Sequence, residues 1–165
     1  RSRGTSSKSH NTKTIRQYNR NNMAKVGMAC DHAGYELKEY LKNILTAKGF
    51  EVEDFGTQST DSMDYPDVAH PLAEAVESHK VDFGVAMCGS GEGIFITLNK
   101  HQWVRAALCW KTEIAALAKQ HNNANILVLP ARFVTREEGE NILETYLTSS
   151  FEGGRHQRRL EKIEL

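Results

Sequence analysis

At 165 residues, with 39% hydrophobic and 8% aromatic content, the chain suits one domain able to bury an apolar core. Twelve glycines, three prolines and three scattered cysteines exclude a collagenous, Pro/Gly-rich disordered or disulfide-stapled protein. The 21 basic and 21 acidic residues cancel, but six basic residues and no acid fall in 1–22; the remaining 15 against 21 leave 23–165 at −6, a poor surface for gripping polyanions.

In chain order, RSRGTSSKSHNTKTIRQYNRNN (1–22) is too polar to offset the cost of ordering and reads as a mobile basic tail, with a nucleic-acid arm as the lesser alternative. One domain is expected over 23–165. AKVGMAC (24–30) predicts a strand ending at Asp31-His32. Residues 35–48 then follow a helical period, with Leu37, Tyr40, Leu41, Ile44 and Leu45 on one face and Lys and Glu opposite, before a capping Gly49. FEVEDF (50–55) alternates as a second strand, and a polar turn with Gly56, Asp61 and Asp64 follows. Val68, Leu72, Ala75 and Val76 stripe a helix over 67–79, whose start Pro66 and Pro71 restrict. VDFGVAM (81–87), a third strand, enters the loop Cys88-Gly89-Ser90-Gly91-Glu92-Gly93, and Ile94, Phe95, Ile96 and Leu98 can begin a helix. WVRAALC (103–109), TEIAALAKQ (112–120), NILVLP (125–130) and 135–147 continue as strand, helix, strand and helix. Near-continuous apolar strands alternating with amphipathic helices predict an α/β fold: a doubly wound three-layer sandwich on a five-stranded parallel sheet. Ligands of such folds bind beyond the carboxyl ends of the strands.

Those ends carry the chemistry. The glycine loop offers backbone N–H groups to a phosphate or an oxyanion, though it is also a plain tight turn. It has neither the Lys-Ser/Thr of a Walker loop nor a G-x-G-x-x-G spacing. Cys88 at its head is expected to have its thiol pKa lowered by those dipoles, or else to be a small buried hydrophobe. Cys30 and Cys109 lie in apolar strands and read as core. Asp31 is an acid beside an imidazole or a helix cap; His121 is a candidate acid–base group or, with Asn122, simply a helix end. Arg155, His156, Arg158 and Arg159, after Gly153-Gly154, are an anion clamp or a solvated basic face. His70, His79 and His101 read as surface residues. No CxxC or Cys/His zinc spacing occurs, so no metal or cofactor is expected, and the cysteine usage suits a reducing, cytoplasmic setting. No apolar run reaches the ~18–20 residues of a membrane span. The residues alone describe an enzyme for a phosphorylated metabolite without naming its reaction.

Taken together, KVGMACDHAG (25–34), DYPD (64–67), CGSGEG (88–93), NK (99–100), QHNNAN (120–125) and EGGRHQRR (152–159) resemble ribose-5-phosphate isomerase of the B type, a family that also holds the galactose-6-phosphate isomerase subunits. The likeness runs through Met23–Leu165 and leaves out only the basic tail. It implies a Rossmann-like subunit and a metal-independent aldose–ketose isomerase of ribose 5-phosphate and ribulose 5-phosphate. It also implies a homodimer or dimer of dimers with sites at the subunit boundary, and no nucleic-acid or membrane partner. By the same likeness, Cys88 is the base moving a proton between C1 and C2. Ser90 and the N–H groups of Gly89, Gly91 and Gly93 hold the enediolate oxygens, and Asp31 and His121 assist ring opening. Asn122 and Tyr65 face the sugar. His32, Arg132, Arg155, His156 and Arg159 bind phosphate, the last three reaching the neighbouring subunit's site. Ile94 stands where one branch has a catalytic glutamate. Glu92 inside the loop and Trp103 are departures; Glu92 either faces solvent or raises the thiol pKa. An isomerase of allose or galactose 6-phosphate and a non-catalytic sugar-phosphate module are the alternatives.

Overall fold

The computed structural model describes residues 23–165; the expectation of a basic tail concerns residues outside this range. Strand β1 (Lys25–Cys30) leads through a 3-10 turn (His32–Gly34) into α1 (Tyr35–Ala47), followed by β2 (Glu51–Asp54), α2 (Pro66–Glu77) and β3 (Phe83–Cys88). Then come α3 (Glu92–Leu98), β4 (Ala106–Leu108), α4 (Thr112–Asn122), β5 (Ile126–Pro130), α5 (Arg136–Thr148) and α6 (Arg155–Glu161). All strand pairs are parallel, in the order β2-β1-β3-β5-β4. The winding reverses between β1 and β3, where Cys30 pairs with Met87 and the two carboxyl ends leave a crevice.

Residues alternate across the sheet. Met28, Val85, Met87 and Leu127 meet Leu37, Leu41, Ala115, Ile142 and Leu143 from α1, α4 and α5. Ala29, Ala86, Cys88 and Val128 meet Leu72, Val76, Ile94 and Leu98 from α2 and α3. The three-layer α/β sandwich is therefore as expected, and its parity turns Cys88 towards α2 and α3.

Four local expectations change. The strand foreseen over 103–109 shrinks to Ala106–Leu108, and side-chain amides take backbone groups at and before its first residue. Asn99 Nδ2 donates to the Ala106 carbonyl at 3.1 Å and Asn99 Oδ1 accepts from its N–H at 2.9 Å. Asn125 does the same for the Trp103 carbonyl (2.8 Å) and the Arg105 N–H (2.7 Å). The helix α2 starts at Pro66 and holds Pro71 inside it, where Pro71 donates no bond to the Asp67 carbonyl. Lys38, foreseen on the polar face of α1, is fully buried, and 155–161, foreseen only as a cationic segment, is the helix α6. His70 is exposed, as expected, and pairs with the half-buried His101: His70 Nδ1 lies 2.7 Å from His101 Nε2, and His101 Nδ1 lies 2.7 Å from Glu77 Oε1. No helix among the described residues is long and apolar enough to cross a membrane.

Candidate active site

The end of β1 sets the first wall. Asp31 is buried and its carboxylate accepts from the N–H groups of Ala33 (2.9 Å) and Gly34 (3.2 Å), so it caps the 3-10 turn. His32 Nδ1 accepts from the Met63 N–H at 3.3 Å, which ties the β2–α2 connection to the same corner. A buried ion pair holds that connection. Lys38 Nζ reaches both Asp54 oxygens and the Thr57 carbonyl at 2.7 Å each, and the Gly56 N–H reaches Asp54 Oδ1 at 2.9 Å. Gly56 and Thr57 in turn exchange backbone bonds with Cys30. Sequence reasoning missed Lys38; its place one turn before Leu41 and two before Leu45 was the available signal.

Cys88 closes β3 on the neighbouring strand, 4% exposed. Burial pushes its thiol up from the ordinary value, and the Asp31 carboxylate adds to the rise. The N–H groups of Ile94, Gly91 and Gly93 face the sulfur and oppose this. The expectation of a lowered thiol pKa is thus corrected within the single chain: the dipoles are in place, but desolvation outweighs them. Ser90 is exposed, and its Oγ accepts from the Glu92 N–H at 3.2 Å. Glu92 is exposed too, and the carboxylate acting on the thiol is Asp31.

The glycines leave room for close neighbours. Gly91 has a φ of +77°, and a Cβ there would lie 2.5 Å from Leu108 Cδ1. A Cβ on Gly93 would lie 2.4 Å from Tyr65 Cζ, so the tyrosine ring rests directly on the loop. Arg132 lies over Gly89 and its N–H donates to the Gly89 carbonyl at 3.0 Å. Cys88, Ser90, Asp31, His32, Tyr65 and Arg132 therefore gather at one end of the sheet, with the loop glycines. Cys30 and Cys109 are fully buried core residues, their thiols pushed up to about 12 by burial.

The other predicted residues gather elsewhere. The helix α4 runs back across the sheet to feed β5, so its last residues, His121 and Asn122, reach the amino edge of the strands. Eleven residues at ~1.5 Å each put them about 16 Å from the helix start. Arg105, just before β4, donates to the Asn122 carbonyl at 3.1 Å, which fixes that end. Gly153 (φ +68°) and Gly154 (φ +58°) turn the chain so that α6 brings His156 onto His121, ring centroids 4.2 Å apart and planes 13° apart. Arg155, Arg158 and Arg159 are exposed on the same helix. Glu152, which sequence reasoning did not assign, joins the pair: its N–H donates to the Gln120 carbonyl at 3.0 Å. Two hollows, of about 460 and 520 Å³, run along β4, and neither is lined by Cys88.

This arrangement of a doubly wound sheet, a thiol at the winding reversal and a glycine loop coincides with a known family. The family model of the ribose/galactose isomerases matches residues 26–163. The chain is 41% identical to ribose-5-phosphate isomerase B of Escherichia coli, covering 86% of this chain and 95% of that protein. It is 44% identical to a probable ribose-5-phosphate isomerase B of Mycoplasma genitalium, over 84% and 92%. Among solved structures, a ribose 5-phosphate isomerase from Thermotoga maritima superposes with a TM-score of 0.84 at 49% identity, covering 86% and 97%. The Mycoplasma genitalium enzyme, solved with bound ribulose 5-phosphate, gives 0.83 at 43%, covering 86% and 95%. The chain belongs to the ribose/galactose isomerase family.

Proposed function

We propose that this protein is an aldose–ketose isomerase that interconverts D-ribose 5-phosphate and D-ribulose 5-phosphate, a step of the non-oxidative pentose phosphate pathway. The observation that carries the reading is Cys88 at the mouth of the glycine loop, in a chain whose relatives bear the name ribose-5-phosphate isomerase B over nearly their whole length. Isomerisation removes the proton on C2 of the open-chain aldose and returns it to C1, while the hydroxyl proton on O2 is lost and O1 gains one. One base on one face of a cis-enediolate serves both carbons. In this reading the Cys88 thiolate is that base. Ser90 and loop N–H groups meet the enediolate oxygens, a contact typically worth a few kcal/mol per donor. Asp31 assists ring opening, Tyr65 faces the sugar, and His32 with Arg132 takes the phosphate.

His121, Asn122, Arg155, His156 and Arg159 then serve the site of a second copy, because α4 carries them away from Cys88 of their own chain. This favours a homodimer. Exposed Ile96, Trp110 and Leu117 beside the three-residue edge strand β4 are apolar surface that a second copy would cover. The reducing, cytoplasmic setting remains part of the same reading.

A coupled assay over five- and six-carbon aldose phosphates, run with and without a chelator, tests it. Turnover of ribose 5-phosphate that survives chelation is expected. A clear preference for a hexose 6-phosphate would reject the pentose assignment, and no turnover of any sugar would favour a non-catalytic binding module.

A further inference from the structure

Outside the thiol site, the described residues hold one cluster whose donors converge. His121 ends α4, His156 sits in the second position of α6, and Glu152 is held between them by its bond to Gln120. Glu152 Oε2 lies 3.6 Å from His156 Nε2 and 4.0 Å from His121 Nε2. One ligand atom from each of the three lies within 4.8 Å of the others. The His156 side chain is only 8% exposed, and its buried Nε2 has no hydrogen-bond partner. A buried ring nitrogen without a partner calls for a ligand.

We propose that His121, Glu152 and His156 form a binding site for a Zn²⁺-class divalent transition-metal ion. Two imidazoles and one carboxylate are the donor set of three-ligand zinc sites, with water completing the tetrahedron; Mg²⁺ and Ca²⁺ want six or more oxygens. Bonds of ~2.0–2.1 Å place tetrahedral donors about 3.3 Å apart, a few tenths inside the separations from Glu152. The rings now stack nearly parallel, so their lone pairs run side by side and one imidazole must turn to share an ion. His121, 38% exposed, and Glu152, 52% exposed, are the members with room to swing onto the fixed His156. The exposed guanidiniums weaken a cation's binding without supplying a competing donor, so the site fills only when metal is offered.

The metal site does not rest on the isomerase reading. Where that reading holds, ion and sugar phosphate compete for the same imidazoles. The test titrates the metal-stripped full chain with Zn²⁺ against a chromophoric chelator, and with Co²⁺ for the visible absorption of a tetrahedral ion. About one equivalent per chain is expected, with Mg²⁺ failing to compete. Glu152→Gln and His156→Gln should each weaken Zn²⁺ binding at least ~10-fold, while Cys88→Ser retains it. Glu152 is exposed, so its variant answers the question even if the buried His156 variant misfolds. Absence of saturable binding, binding unchanged in both variants, or loss in Cys88→Ser would overturn the site. Zinc bound at this site that leaves turnover unchanged would uphold the metal site and remove His121 from the sugar's contacts.

Discussion

The Cys88 sulfur stands between two opposed effects, and their balance sets what the residue can do. Burial and Asp31 raise its pKa, whereas three loop N–H groups lower it, and the net is upward. A base must lose its proton before it can take one from carbon. The fraction of active thiolate therefore grows with pH, and kcat/KM should climb through the neutral range without levelling below the ordinary thiol value of 9.0. A flat profile over that range would exclude the thiol as the base. Replacing the sulfur gives the companion result: Cys88→Ala should lose turnover by orders of magnitude while retaining a phosphate ligand. Undiminished turnover in that variant would move the chemistry to another group. The candidate base was readable in the sequence, because a cysteine at the head of a glycine loop after a strand is a local pattern. Its pKa direction was not, because desolvation depends on Ile94, Asp31 and the layer packed over them.

Among elements, the link from β2 to α2 shows how a buried charge organises a site it does not touch. Lys38, fully enclosed, neutralises Asp54 and binds the Thr57 carbonyl, and the loop they hold carries Met63 to His32 and Tyr65 to Gly93. Lys38→Met leaves Asp54 largely buried without its main partner and should cost about 3 kcal/mol, seen as a lower urea midpoint. Burial alone would raise the Asp54 pKa, but the bonds from Lys38, Gly56 and Lys42 bring it below 3.8. A carboxylate lowered in the folded state contributes stability that is present above its unfolded pKa and lost as pH falls through the folded one. The gap between wild type and Lys38→Met should therefore narrow as the solution is acidified through the carboxylate range. A midpoint unaffected at neutral pH would show that the pair is dispensable. Helical periodicity located α1 within a residue, yet charge alone had assigned Lys38 to water. Only the position of Asp54, 16 residues later on another strand, makes its burial affordable.

For the whole molecule, the direction of α4 is what the proposal of a two-chain site rests on. Cys88 and Asp31 lie at the carboxyl edge of the sheet, His121 and α6 at the amino edge. Subunit mixing reads this directly. Neither Cys88→Ala nor His121→Ala homodimers should turn over ribose 5-phosphate at a useful rate. Random mixing of the two should restore about a quarter of wild-type activity per chain, because each mixed dimer holds one intact site. No recovery from well-mixed dimers would mean that each chain builds its site alone.

Along the chain, strand and helix periods, glycine stops and the order of motifs were enough to determine the α/β sandwich, its five parallel strands and the residues worth suspecting. These are local signals, written in side-chain spacing. The tertiary structure alone decided which suspects stand together: it placed Tyr65 on Gly93 and Arg132 on Gly89, buried Lys38, and stacked His156 on His121 at the other edge of the sheet from Cys88. The physical reason is that proximity between distant residues follows from helix direction and sheet order. Neither leaves a mark within the few residues over which a sequence pattern repeats.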